Sequence, residues 1–288
     1  MKVKIIVDST ADMTPEVAAR VGIVPLTVHF GETEYISGVN INPKKFYEML
    51  VESDVLPTTS QPTPFAFEEK FRETVEAGYQ VVCITCAGKL SGTNQSANIA
   101  AEEFEGKVHV VDSGTIAIGL GILVEYALQL VDKGLSPEEI VRKLMQKRED
   151  ICLLALVDTL EYLKKGGRIS PTVAFAGGLL NIKPVITIQD GEIKVVGKAR
   201  GSKQGNNLLV QEIQKAGGVD FHKPLMLGYT GMSDALLQKY IADSAALWET
   251  AGKPCPFPSW AAWLAPMWAP VRWLWHSLLL RKNKDRKT

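Results

Sequence analysis

Short apolar, β-rich runs recur through the first half of the chain with helix-like segments between them: Val3 to Val7, Val24 to Phe30, Val81 to Thr85, Val108 to Val111 and Cys152 to Val157. A strand that must return parallel to its neighbour needs a crossover of a dozen residues or more, so this alternation calls for a largely parallel sheet with helices on both faces. Helix starts are marked by capping side chains before a proline, at Thr14-Pro15, Asn42-Pro43 and Ser136-Pro137. Ser136 also has Glu139 three residues on, the spacing of a capping box. Thr115 to Asp132 is apolar almost all round but carries Gly119, Gly121, Glu125, Gln129 and Asp132, which suits a helix packed closely on the sheet and not a membrane span.

The pattern changes after about Leu160. A glycine-rich basic turn, KKGGRIS, precedes a helix-like stretch around Ala174 to Leu180. Pro184 to Ile188 and Ile193 to Lys198 read as strands joined at Asp190-Gly191, a strong hairpin signal. An amphipathic helix near Asn206 to Lys215 and a strand-like run from Pro224 to Tyr229 follow. The expectation is an α/β chain: a three-layer, parallel-sheet α/β domain over residues 1–150, an α+β domain with an antiparallel or mixed sheet over 151–248, and an atypical tail over 249–288.

Charge and cysteine content narrow the function classes. Of 288 residues, 32 are Lys or Arg and 32 are Asp or Glu, so no global positive field draws nucleic acid or an anionic membrane. Asp8 and Asp12 interrupt the opening apolar stretch too early for a secretory signal. Four irregularly placed cysteines make no disulfide scaffold, so a reducing, cytoplasmic setting is expected.

In an open parallel sheet, ligands bind beyond the carboxyl ends of the strands, where loops enter helix N-termini. Three hydroxyl-rich loops qualify: Asp8-Ser9-Thr10, the stretch Pro57 to Pro64 (PTTSQPTP), and Ser91 to Ser96 (SGTNQS). Taken singly, each reads more readily as a set of caps than as a ligand site. Neither GxGxxG nor GxxxxGK[ST] occurs, so no nucleotide loop is expected. Cys83 and Cys86 have redox spacing but fall on a buried strand, and the histidines His29, His109, His222 and His276 are scattered without metal spacing. No metal or other cofactor is expected. A serine nucleophile would need a histidine partner that the sequence does not visibly supply. A small hydrolase or phosphatase using Asp8-Ser9-Thr10 stands as the alternative to a binding protein.

Taken together and in order, DSTAD, TTSQPTP, LSGTNQSA, VVDS at Val110 to Ser113, and LEYLKKGGRIS followed by LLNIKPVI resemble the DegV family over roughly Met1 to Trp248. The resemblance implies a parallel α/β domain followed by an α+β domain, and a bound long-chain fatty acid with a buried tail. It further implies a non-catalytic subunit of a bacterial fatty acid kinase, handing the carboxyl group to a separate ATP-dependent kinase. Matched residue by residue, Thr59 and Ser91 are the carboxylate-binding hydroxyls, with Ser60, Gly92 and Thr93 beside them, and Arg168 lies near the head group. Gly92 lets backbone N–H groups approach an anion, and Arg168 offers a fixed cation.

The resemblance ends in the tail. All six tryptophans fall between Trp248 and Trp275, and the end of the chain shows neither helical nor strand periodicity. The family closes instead on a strand and loop of the form GTHxGPGA, with a ligand-facing histidine. Displaced by one nucleotide, the codons of Ala265 to Arg272 permit Gly-Thr-His-Val-Gly-Pro-Gly-Ala. The expectation is therefore a frame shift beginning between about Trp248 and Trp260, with a Trp-rich membrane-surface tail as the rival reading.

Overall fold

The computed structural model describes residues 2–174, 181–221, 223–248, 262–264 and 273–278. The chain divides into two units, the first being Met1–Glu149 and the second running from Asp150.

In the first unit, the strands β1 (Val3–Asp8) and β2 (Gly22–Val24) flank the four-residue helix α1 (Pro15–Ala18). Next come β3 (Thr27–Phe30), β4 (Thr33–Ile36), α2 (Pro43–Glu52), β5 (Thr58–Ser60), α3 (Pro64–Glu76), β6 (Gln80–Thr85), α4 (Thr93–Ala101), β7 (Val108–Asp112), α5 (Ala117–Asp132) and α6 (Pro137–Lys147). Four strands form an all-parallel sheet in the order β2-β1-β6-β7. Its strands are apolar on both faces. Ile6, Val81 and Cys83 pack with Phe67, Phe71, Ala97 and Ala100 of α3 and α4. Alternation turns the equally buried Ile5, Val7, Val82 and Ile84 to the other face, where α5 and α6 contact the sheet.

Three expected helix starts are built as the sequence indicates. Thr14, Asn42 and Ser136 each accept a backbone N–H from the first turn, and Ser136 and Glu139 complete a capping box. The run Val24 to Phe30, expected as one strand, is two. Pro25 has no N–H to give to a ladder, so the chain leaves the parallel sheet after Val24 and enters a separate antiparallel sheet of order β4-β3-β5.

The second unit opens on β8 (Cys152–Val157), followed by α7 (Glu161–Lys165), α8 (Pro171–Ala174), β9 (Ile182–Gln189), β10 (Glu192–Arg200), α9 (Gly201–Lys215), β11 (Met226–Tyr229), α10 (Ala235–Asp243), α11 (Ala245–Trp248), β12 (Ala262–Leu264) and β13 (Trp273–Leu278). The helix expected near Ala174 to Leu180 lies, beyond Ala174, outside the described residues. β8, expected to continue the parallel series, pairs antiparallel with β9 and with β13 in a six-stranded mixed sheet of order β10-β9-β8-β13-β11-β12. The β9–β10 hairpin turns at Asp190 (φ 53°) and Gly191 (φ 74°), the two positive φ angles that a type I′ turn requires. Leu154, Leu156, Val185, Leu209, Ile213, Leu227, Leu237 and Tyr240 form its core under α9 and α10.

Candidate functional site

The loops at the carboxyl ends of β1, β6 and β7 are tied by two aspartates. Asp8 accepts the backbone N–H of Thr10 at 2.9 Å and of Cys86 at 2.7 Å, and Asp112 accepts those of Gly114 at 2.8 Å and Gly88 at 3.2 Å. Burial raises the Asp8 carboxyl above its ordinary pKa, although these hydrogen bonds pull the other way. Ser9 Oγ accepts from Leu26 N at 2.9 Å. The loop proposed for a hydrolase thus spends Asp8 and Ser9 on backbone groups, and Asp8 is fully buried. Its carboxyl group is a scaffold for neighbouring loops.

Ser91, Gly92 and Thr93 lead into α4. Ser91 Oγ lies 2.8 Å from Thr93 Oγ1 and accepts the Thr93 N–H at 3.3 Å. Gly92, the N-cap residue, has no side chain to cap with, so the first turn of α4 presents N–H groups beside two hydroxyls. The Cys86 thiol sits against Thr10, Ser91 and Thr93, and burial pushes its pKa well up, so it acts as a packed, neutral floor.

Gln61, which the sequence did not single out, closes this corner. Its Nε2 donates to Ser96 Oγ at 3.1 Å, and its carboxamide fills the space where a Cβ at Gly92 would stand. The segment after β5 is thereby laid against the start of α4. On β5 itself, Thr59 stands opposite Val28 and Ser60 opposite Thr27. Strand alternation puts Thr59 on the face of the wholly buried Val28 and turns Ser60 to the other, exposed face. One ligand atom cannot meet both side chains.

Ser60 instead meets a histidine. Its Oγ lies 2.8 Å from His29 Nε2, and His29 Nδ1 lies 3.6 Å from Glu34 Oε1. The expectation that no serine has a histidine partner is thus corrected, because the β3–β5 pairing joins residues 31 apart in the chain.

Arg168 belongs to the second unit, in the turn after α7. Its backbone N–H donates to Leu163 O at 2.8 Å, and its guanidinium Nη1 donates to Gly166 O. Gly167 takes φ 74° to make the turn. Among the described residues no three His, Cys, Asp or Glu side chains group as metal ligands, and no helix is long and apolar enough to cross a membrane.

Comparison with known proteins gives a consistent result. The family model described as "Uncharacterised protein, DegV family" matches residues 2–251. A DegV domain-containing protein of Deinococcus radiodurans is 38% identical over 217 residues, covering 75% of this chain and 77% of the relative. Among solved structures, a fatty-acid-binding DegV-family protein from Thermus thermophilus is similar with TM-score 0.81 and 31% identity, over 97% of this chain and 100% of that one. A stearic-acid-binding protein from Eubacterium ventriosum is similar with TM-score 0.75 and 29% identity, over 86% and 87% of the two chains.

Proposed function

The chain belongs to the DegV family, and from that premise we propose that it binds one long-chain fatty acid and offers the carboxylate to a separate ATP-dependent kinase that makes acyl-phosphate. The observation that carries the binding step is the entrance of α4. Gly92 supplies no side-chain cap, and the hydrogen-bonded hydroxyls of Ser91 and Thr93 stand at the positive end of the helix dipole, where an anion exchanges for the Ser91–Thr93 contacts and displaces the Gln61 carboxamide. Similarity to proteins of the family that bind fatty acids supports the choice of anion.

The two halves of such a ligand do different work. Burying about fourteen methylenes at ~0.8 kcal/mol each gives roughly 11 kcal/mol gross, before ordering costs. The tail therefore supplies affinity. Hydrogen bonds from Ser91, Thr59 and the α4 entrance, at about 1.5–3 kcal/mol each to a charged group, fix which end faces a kinase. Arg168 is assigned to the phosphoryl-transfer step, where a cation steadies developing negative charge.

Extraction of the protein after gentle purification from bacteria, followed by mass spectrometry, tests the binding step. An acyl chain in stoichiometric amount is expected, and its absence would overturn the reading. Ser91→Ala should weaken fatty acid binding about ten-fold or more without unfolding the protein. Unchanged affinity and unchanged acyl-phosphate formation would remove Ser91 from the site. For Arg168→Ala the expected loss is larger in kinase-coupled turnover than in lipid binding, and equal losses would refute that assignment.

A further inference from the structure

Three side chains on the exposed face of the small antiparallel sheet stand in the order nucleophile, base, carboxylate. Ser60 Oγ is 2.8 Å from His29 Nε2, and His29 Nδ1 is 3.6 Å from Glu34 Oε1. The register explains why they meet. His29 lies directly opposite Glu34 on β4 and opposite Thr58 on β5, which makes Ser60 its diagonal neighbour, within reach of an imidazole. A carboxylate beside Nδ1 favours the tautomer that carries its proton there, which leaves the Nε2 lone pair for the serine hydroxyl. Ser60 is open to solvent while the His29 side chain is only 23% exposed, so the nucleophile is reachable and the base is held in place. Thr59 points to the opposite face of the sheet from this group.

We propose that Ser60, His29 and Glu34 form an acyl-transfer relay in which Ser60 accepts the acyl group of an activated acyl donor, an acyl-phosphate or an aryl ester. Ser60 Oγ bonds to the acyl carbon as its proton passes to His29 Nε2. The bond from that carbon to the leaving oxygen breaks, and the phosphate or phenol departs with the electron pair and the proton held on His29 Nε2, which leaves the imidazole neutral again. Water then attacks the Ser60 ester, His29 takes a proton from the water, Ser60 Oγ regains one, and the carboxylic acid leaves. Glu34 is a positioning residue that orients the ring. The relay does not depend on lipid binding at α4, because a two-carbon acyl donor needs no tail pocket.

The test uses the full-length protein and a fluorophosphonate probe, which phosphonylates an activated serine with loss of fluoride, followed by peptide mass spectrometry. The expected result is an adduct on Ser60 whose rate of formation falls about 100-fold or more in His29→Gln and less steeply in Glu34→Gln. p-Nitrophenyl acetate hydrolysis by the same preparation should disappear in Ser60→Ala. Circular dichroism of each variant confirms that the fold is kept. Should Ser60→Ala fail to fold, Ser60→Cys gives a second readout, with iodoacetamide alkylation expected to slow when His29→Gln is added. Absence of a Ser60 adduct, or equal labelling in wild type and His29→Gln, would overturn the relay and leave the three side chains as a cross-strand staple.

Discussion

Gly92 shows how a missing Cβ sets the geometry of a site. Its φ of −70° is open to any residue, so only the Gln61 carboxamide opposes substitution. Gln61 is the flexible end of a side chain and can swing away, giving up its hydrogen bond to Ser96. Gly92→Ala should therefore cost only about 1 kcal/mol of stability but weaken fatty acid binding by a larger factor, because the methyl takes the place that an anion gains by displacing the Gln61 carboxamide. Thermal unfolding and lipid titration of the same preparation check both parts. Asp12 carries a different kind of prediction. It is buried, its Oδ1 has no hydrogen-bond partner, and desolvation raises its pKa well above the ordinary value. A raised folded-state pKa means that the native protein binds the proton more tightly than the unfolded chain, so this group's contribution falls as pH rises from the unfolded pKa through the folded one. Asp12→Asn removes that dependence. Relative to wild type, the variant should gain stability as pH rises above the ordinary carboxylate range, as read by denaturant melts, and a difference independent of pH would refute it. The hydroxyls of Thr59, Ser91 and Thr93 were legible as residue types on strand-to-helix turns. Gln61 and the His29–Ser60 contact were not, because both depend on the register of β5 against its neighbours, which no local pattern encodes.

Elements whose signals are local stood plainly in the sequence, and those defined by a partner did not. Thr14, Asn42 and Ser136 announce their helices because a cap is satisfied within one turn, and Asp190-Gly191 announces its hairpin because the turn chemistry is self-contained. β5 is three residues long and hides inside a Pro-rich, hydroxyl-rich stretch, and only pairing with β3 makes it a strand. Placing β8 in the parallel series had the same cause, since an apolar run of six fits either sheet. The helix α5 illustrates a long-range constraint carried by one residue. Gly121 lies against the backbone carbonyl of Asp12, where a Cβ would collide with main chain and not with a movable side-chain end. Ala117, at the head of the same helix, exchanges backbone hydrogen bonds with Thr10 and Asp12. The loop cannot retreat without breaking that ladder. Gly121→Ala should thus destabilise the first unit by about 1–3 kcal/mol or more, despite the better helix propensity of alanine. Gly92→Ala serves as the mild control, and equal melting temperatures for the two variants would show that the contact is soft.

At the scale of the whole chain, the family match ends at residue 251, while the sheet of the second unit takes in Trp273–Leu278 as β13, between β8 and β11. This segment pairs as a strand although its sequence shows no strand periodicity. Backbone N–H and C=O groups pair without regard to side chain. The register runs Trp273 to Leu278 against Val157 to Cys152, so the strand occupies a slot between β8 and β11. Occupying a slot is a weaker condition than supplying the family's loop, however. Sequence similarity to relatives such as the Deinococcus radiodurans protein covers 77% of their length, and the Trp-rich segment lacks the histidine that the resemblance places at the ligand. A one-nucleotide displacement reconciles the two facts. It leaves the segment's length, and hence its reach across the sheet, unchanged while replacing every side chain, and it permits Gly-Thr-His-Val-Gly-Pro-Gly-Ala from the codons of Ala265 to Arg272. Of those eight residues, Val and the second Gly are forced by the single-codon residues Met267 and Trp268 and the invariant bases that follow them, so the agreement is not free choice throughout. We propose that the tail is an out-of-frame reading of the family's closing loop and strand. Resequencing the gene across Trp248 to Ser277 decides it. The expected outcome is a missing or additional nucleotide before Trp260, or a shifted frame spelling Gly-Thr-His-x-Gly-Pro-Gly. A verified gene with these codons whose shifted frame spells something else ends the proposal.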